Sequence, residues 1–392
     1  MHLVFATSIV PSGSATTGYE IANAAIVDAL RRAGVKVTVL GFIWPGASPS
    51  DPEHTVVLGE VDVRTDNATG LQKASWLLKA MSMGLTFSSV KLRAATPGQV
   101  RAALSSIEPY DGYILNAAQF AGAFEDVLRD RPSIFVAHNV EYRSAEENAA
   151  AARGLMQKVL YTREAGLLRG VERRLCDRAA FVWTLADDDR PLLGVDGDDR
   201  SSALPLVTRL EAPQPAGARA TDCDAALIGT WTWQPNRIGL EWFLDEVVPN
   251  LPPDFTVRIA GKTPSDISSP HPGVKFVGFV PDATDFVRSA RVIPLASRAG
   301  TGVQLKTIET FELGLPSVAT TRSLRGIANV PDNCVVADDP KEFARALVGA
   351  ARNPKPDADG RVFHAAQRAA LDREIVRGLV QLRKAGKHEA AA

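Results

Sequence analysis

The first forty residues switch between two periodicities in an order that few architectures accommodate. Residues 2–10 form an unbroken, mostly apolar run of strand length, and residues 11–18 are a loop of small side chains. Ile21, Ala25, Ile26, Ala29 and Leu30 then recur at helical spacing, with Arg31 and Arg32 in the last turn and Gly34 as the stop. Residues 35–41 return to strand character with the valine-rich pattern of a buried parallel strand. The result is a βαβ unit whose loop follows the carboxyl end of its first strand, the end at which open α/β sheets bind ligands.

The alternation continues along the chain. Residues 113–116, 134–137 and 181–185 read as buried strands, and residues 145–178 as a long helical stretch. Residues 194–222 are rich in Gly, Asp, Ser and Pro without periodicity, which places a boundary there. A second α/β series follows, with strands predicted at 225–229, 256–261, 274–277, 291–295 and 317–321 and closing helices at 340–352 and 362–384. At 392 residues the chain is long enough for two domains. The expected division is a first domain over 1–205, a second over 206–360, and a terminal helix over 361–392 that packs back toward the first. The predicted class is α/β, two Rossmann-like domains with the ligand site in the cleft between them.

Composition removes several alternatives. Lys and Arg total 44 against 45 for Asp and Glu, a formal net charge of −1, so no general field attracts nucleic acid. An apolar fraction of 45% with 23% charged residues excludes a disordered chain. Cys176, Cys223 and Cys334 lie far apart and form no CxxC, which argues against a disulfide framework or a zinc site and fits a reducing cytoplasm. No run approaches the roughly 20 apolar residues that cross a bilayer. The uncharged opening lacks the basic start of a signal peptide and is broken by Pro11, Ser12, Gly13 and Ser14. The expectation is a soluble cytoplasmic protein, with peripheral attachment at the inner face of a membrane as its variant. The aspartates Asp187, Asp188, Asp189, Asp196, Asp198 and Asp199 read as solvated carboxylates, since adjacent aspartates cannot all face one ion; no metal site is expected.

The densest chemical signal lies in residues 297–309. A strand ends near Leu295, a small-residue loop containing Gly300, Thr301 and Gly302 follows, and a helix is predicted to start near Gly302. Glycines let backbone N–H groups approach an anion, and a helix start adds about half a positive charge. Lys306, one turn up, leans back toward that anion, and Glu309 on the same face can accept from sugar hydroxyls. The plainer alternative is an ordinary turn with a Lys306–Glu309 surface pair.

This segment, together with the Gly314-Leu315-Pro316 turn after it, resembles the donor-binding signature of group 1 bacterial glycosyltransferases, GT-B enzymes that use nucleotide sugars. Residues 137–141, containing His138 and Glu141, are similar to the family's histidine segment; residues 172–179 are similar to the helix after it. Residues 229–239, with Trp233, Pro235 and Asn236, resemble the first loop of its second domain. The resemblance implies that Lys306 binds the donor diphosphate, Glu309 the ribose, and Gly13 the diphosphate from the first domain's side. It implies that residues 277–280, ending at Val280, meet the base, and that Gly229, Thr230, Gly300, Thr301 and Gly302 form donor-side loops. The family's first motif glutamate falls on Thr301, and its basic loop pair is reduced to Thr230 and Arg237, with Lys262 as a second cation.

His138 then stands near the transferred sugar, or is a satisfied loop histidine. Glu141 orients an acceptor or caps a helix. Trp231 and Trp233 stack on the ligand or pack beneath the loop. Residues 72–101 combine Trp76, Leu77, Leu78, Met81, Met83, Leu85 and Phe87 with Lys73, Lys79, Lys91, Arg93 and Arg101. They form a core helix with solvated cations, the preferred reading, or an interfacial patch for a lipid-linked acceptor. The function implied is metal-independent transfer of a sugar from a nucleotide-sugar co-substrate to a hydroxyl acceptor of a bacterial glycan, with retention of configuration. An epimerase of the same architecture and an inactive nucleotide-sugar-binding module are the alternatives.

Overall fold

A computed structural model of the chain describes all residues except 14–16, 65–67, 153, 198, 215, 216 and 390–392. Ser14 and Asp198, both singled out above, lie outside the described residues. The chain divides into two compact units, Met1–Leu206 with Ala369–Ala392, and Val207–Arg368. The final helix, Gly360–Glu389, is shared between them.

The first unit is built on seven strands: β1 (His2–Ile9), β2 (Lys36–Ile43), β3 (Thr55–Glu60), β4 (Gly112–Asn116), β5 (Ser133–Ala137), β6 (Phe181–Thr184) and β7 (Ser201–Ala203). They pair in parallel in the order β3-β2-β1-β4-β5-β6-β7. The chain winds one way from β1 to β3 and the other way from β4, so the carboxyl ends of β1 and β4 flank a topological switch. The central strands are buried on both faces, as helices on each side of a parallel sheet require. The first helix, Gly18–Arg32, starts on Thr17, whose hydroxyl accepts from Glu20 N.

The second unit repeats the plan with β8 (Cys223–Ile228), β9 (Val257–Ala260), β10 (Val274–Gly278), β11 (Ala290–Leu295), β12 (Ser317–Ala319) and β13 (Cys334–Val336). Their order is β10-β9-β8-β11-β12-β13, again parallel throughout, with the switch between β8 and β11. Its core joins Val257, Ile259 and Val292 from the sheet to Phe243 and Phe343. The predicted α/β class is observed in both units.

Three local expectations change. The stretch 145–178 is two helices, Glu141–Ala151 and Leu155–Arg178, with Gly154 as the extended cap of the second. The stretch 194–222 is not wholly irregular, because it contributes β7. Most consequentially, the helix Gly70–Met83 is not a core helix: only Ala80 is buried, while Leu78, Met81 and Met83 face solvent. Conversely, Lys91 is not a solvated cation. It is buried, donates to Val63 O at 2.8 Å, and sits 5.1 Å and 4.9 Å over the rings of Trp76 and Phe87. No described helix is long and apolar enough to cross a membrane.

Candidate active site: a strand, loop and helix of the second unit

At the end of β11 the chain is held by a short hydrogen-bonded brace. Ser323 Oγ donates to Leu295 O at 2.5 Å and accepts from Ser297 N at 2.9 Å, and Thr320 Oγ1 donates to Ser297 O at 2.7 Å. Beyond the brace the loop turns through Gly300 (φ +88°) and Gly302 (φ +72°), both left-handed and therefore strained for any residue with a Cβ. A Cβ on Gly300 would also press to 3.0 Å on Pro235. Arg322 Nη2 donates to Gly300 O at 2.7 Å, and Arg325 Nη1 bonds the same oxygen. Two guanidinium groups thus fix the loop, and neither was singled out from the sequence.

The helix begins later than predicted. It spans Leu305–Glu312 with Gln304 as its cap, because the two left-handed glycines keep the chain in loop geometry past Gly302. Lys306 consequently occupies the first turn itself, at the positive end of the helix dipole. Its Nζ lies 3.5 Å from Asn236 Oδ1 and 5.2 Å from the centre of the Trp231 ring. Desolvation alone pushes the ammonium down to about 8. Lys306 and Glu309 line a pocket of about 30 Å³ at the ends of β8 and β11.

The Lys306–Glu309 pair does not form. Glu309 faces Arg209, Nη2 to Oε1 3.8 Å, and burial raises its carboxyl above the usual range. One turn on, Glu312 accepts from Thr208 N at 2.9 Å and from the Thr208 hydroxyl, its carboxyl pushed up to about 7 by burial. The segment entering the second unit therefore clasps the face of the helix that sequence spacing assigned to Lys306.

The first loop of this unit is positioned by close approach. A Cβ on Gly239 would fall 2.4 Å from Ala296 O, so glycine lets the helix Gln234–Trp242 lie directly on the end of β11 and bring Asn236 to Lys306. Trp231 is buried, donates Nε1 to Ala260 O at 2.8 Å and lines the same pocket as Lys306; Trp233 is 46% exposed. Gly229 N donates to Ala260 O at 3.3 Å, and Thr230 is exposed beside it. Arg237 is engaged by Glu241 and Asp266, each at 2.7 Å, so two carboxylates compensate the cation proposed for this loop. Lys262 is exposed after β9, its carbonyl accepting from Trp231 N at 3.0 Å. Thr301 is buried, and Val280 follows the exposed Phe279 at the end of β10.

In the first unit the switch point carries a polar network. Tyr19 OH bonds Thr7 Oγ1 at 2.8 Å, and Asn116 Nδ2 donates to that phenol at 2.9 Å and to Asn23 Oδ1 at 2.8 Å. With its amide nitrogen so used, Asn116 presents Oδ1 to His138 Nε2 at 2.8 Å, which sets the imidazole proton on Nε2. The His138 ring lies 4.8 Å from that of Tyr19 and is buried, and desolvation pushes it down to about 4. It is a neutral imidazole at pH 7. Gly13 lies in an exposed bend whose flanks converge on buried Glu20, which accepts from Ser12 Oγ and Thr17 Oγ1, both at 2.9 Å.

Glu141 does not cap the helix it begins. The carboxylate of Glu172 does so, accepting from Glu141 N at 2.7 Å and Tyr142 N at 3.0 Å, and burial beside Glu141 drives its carboxyl up to about 8. Glu141 itself is raised by burial. Among the described residues, no three His, Cys, Asp or Glu side chains come together as a cation site.

Residues 224–353 match the family model described as glycosyl transferases group 1. The second unit is a group 1 glycosyl transferase domain. The whole chain shares its fold with GT-B glycosyltransferase structures. TarM superposes with a TM-score of 0.60 at 10% identity, covering 97% of this chain and 98% of that one. HepE from Anabaena, in complex with UDP and glucose, gives 0.58 at 12% identity with both chains fully covered (100%). The pneumococcal O-GlcNAc transferase GtfA, in complex with UDP and GlcNAc, gives 0.55 at 10% identity over 99% of each chain. No curated protein matches in sequence. In this glycosyl transferase domain the braced loop, Lys306 and Glu309 stand at the carboxyl end of the sheet beside its switch point, where the fold class binds ligands.

Proposed function

We propose that the chain transfers a sugar from a nucleoside-diphosphate donor to a hydroxyl acceptor of a bacterial glycan, with retention of anomeric configuration. One observation carries this reading. Lys306 is a desolvated ammonium in the first turn of a helix, and among the described residues no carboxylate pairs with it. A half-buried cation four residues past the second of two left-handed glycines is arranged for an anion that arrives with the ligand. The UDP present in the HepE and GtfA structures makes UDP the first nucleotide to test.

In the proposed step the acceptor hydroxyl attacks the anomeric carbon on the face from which the diphosphate departs. The bond from that carbon to the phosphate oxygen breaks, the new glycosidic bond forms, and the hydroxyl proton passes to the leaving phosphate. Lys306 and the helix start stabilise the charge that builds on the diphosphate, with Arg322 and Arg325 holding the loop in place. Glu309 accepts from the ribose hydroxyls. His138, neutral and oriented by Asn116, serves a hydroxyl of the transferred sugar, and Glu141 serves the acceptor.

Two outcomes test the assignment of charge and ribose. Activity is expected to survive exhaustive EDTA treatment, because the leaving-group charge is met by Lys306 and the helix start; loss that only magnesium or manganese restores would overturn that. Glu309→Gln exchanges one acceptor oxygen for a donor amide. A charge-assisted contact of about 1.5–3 kcal/mol is then lost, or roughly ten- to hundredfold in UDP affinity. Equal affinity of the two proteins by calorimetry would remove Glu309 from the site.

A further inference from the structure

The first unit displays an apolar face that its own fold leaves uncovered. Leu71, Leu78 and Met81 are exposed on the helix Gly70–Met83, and Leu155, Met156 and Val159 on the first turns of the helix Leu155–Arg178. Leu71 and Leu155 are 86% and 81% exposed. On the first helix Leu71 and Leu78 stand seven apart on one face, with Ala74, Ser75 and Ser82 between and beyond them and no charged residue among these five. The two helices belong to one surface: Arg163 Nη2 donates across to Ala80 O at 3.0 Å, and both helices line a single cavity of about 480 Å³ that Glu141 also lines.

Charge is segregated around this face. Residues 67–107 contain no Asp or Glu but carry Lys73, Lys79, Lys91, Arg93 and Arg101, and residues 148–163 repeat the bias with Lys158 and no acid. In a chain whose net charge is −1 this is a local excess. Lys91 and Arg163 are used internally, but Lys79 and Lys158 are exposed on the same two helices as the apolar side chains. Glu164, which lines the cavity, is bound by Phe87 N at 2.8 Å. An exposed apolar face edged by lysines, carried by two segments without Asp or Glu, matches an anionic bilayer: leucine and methionine enter the interface while ammonium groups meet the headgroups.

We infer that the face formed by the helix Gly70–Met83 and the start of the helix Leu155–Arg178 docks on an anionic lipid bilayer. The docking stands on exposure and charge alone. Its corollary, that the acceptor hydroxyl is carried on a lipid, rests on the proposed transfer.

The test is co-sedimentation of the full chain with vesicles of phosphatidylcholine alone or mixed with phosphatidylglycerol. Binding is expected to the anionic vesicles only, and to weaken at high salt. The double variants Leu78→Ser/Met156→Ser and Lys79→Glu/Lys158→Glu alter exposed positions, so both should fold; thermal unfolding verifies this. Each is expected to lose at least about tenfold in vesicle partitioning while binding UDP as wild type does. Absence of binding to anionic vesicles overturns the inference, as does equal binding to neutral ones or wild-type partitioning by both variants. A concentration-dependent dimer that the same variants abolish also overturns it, because a second copy would then cover the face. Vesicle binding needs no donor, so its failure and the failure of the transfer reading are separately visible.

Discussion

Lys306→Ala is expected to lower kcat/KM for the nucleotide sugar by about two to three orders of magnitude, the scale on which one preorganised charge-stabilising donor acts. UDP affinity alone should fall about ten- to hundredfold, since a product diphosphate loses the same charge-assisted contact. The pH dependence has a definite sign. The ammonium of the free protein titrates near pH 8, so UDP binding should weaken as pH rises through that value. Binding near pH 8 should take up a proton, because the bound anion favours the charged form. A structural lysine would behave differently. With Lys306 desolvated and unmatched by a carboxylate among the described residues, Lys306→Met should unfold at no lower temperature than wild type. Loss of binding without loss of stability is the pattern of a group placed for a ligand.

His138→Ala should reduce kcat by about ten- to hundredfold while leaving UDP affinity within about a factor of three, because the histidine is assigned to the sugar and not to the nucleotide. The same residue makes an acid-stability prediction. Its imidazole titrates at about 4 in the folded protein against an ordinary value of 6.5, so the unfolded chain binds the proton first as pH falls. The stabilising contribution is therefore complete above pH 6.5 and is lost progressively down to pH 4. Unfolding midpoints across that window should fall more steeply for wild type than for His138→Gln. A histidine that is only structural would show the stability effect and leave kcat alone.

Much of the architecture was legible because parallel strands and amphipathic helices write their own periodicity. The strands that sequence patterning missed are β3, β7 and β13, which are edge strands of the two sheets. An edge strand is specified by pairing with one neighbour, and runs such as Ser201-Ser202-Ala203 and Cys334-Val335-Val336 are too short to show a period. The glycine loop and Lys306 were legible as a small-residue turn before a helix. The helix start was not, because two left-handed residues delay it, and the partner of Glu309 was not, because Arg209 lies a hundred positions away in sequence. Arg322 and Arg325 left only a faint trace, a basic pair after the Gly314-Leu315-Pro316 turn. The Thr7, Tyr19, Asn23 and Asn116 network that orients His138 left none, since its members look like ordinary polar residues until the sheet brings β1 and β4 together. The helix Gly70–Met83 failed for the opposite reason: amphipathic spacing does not say whether the apolar side faces a core or the outside.

On the proposed reading the second unit holds a nucleoside diphosphate on Lys306. Calorimetric titration of UDP into wild type and Lys306→Ala near pH 8, in two buffers of different ionisation enthalpy, addresses it directly. Saturable one-site binding by wild type is expected, with a buffer-dependent heat that reports proton uptake. In Lys306→Ala the affinity should fall at least about tenfold and the buffer dependence should vanish. Absence of binding by wild type, or equal affinities and equal proton uptake in the two folded proteins, would contradict the account.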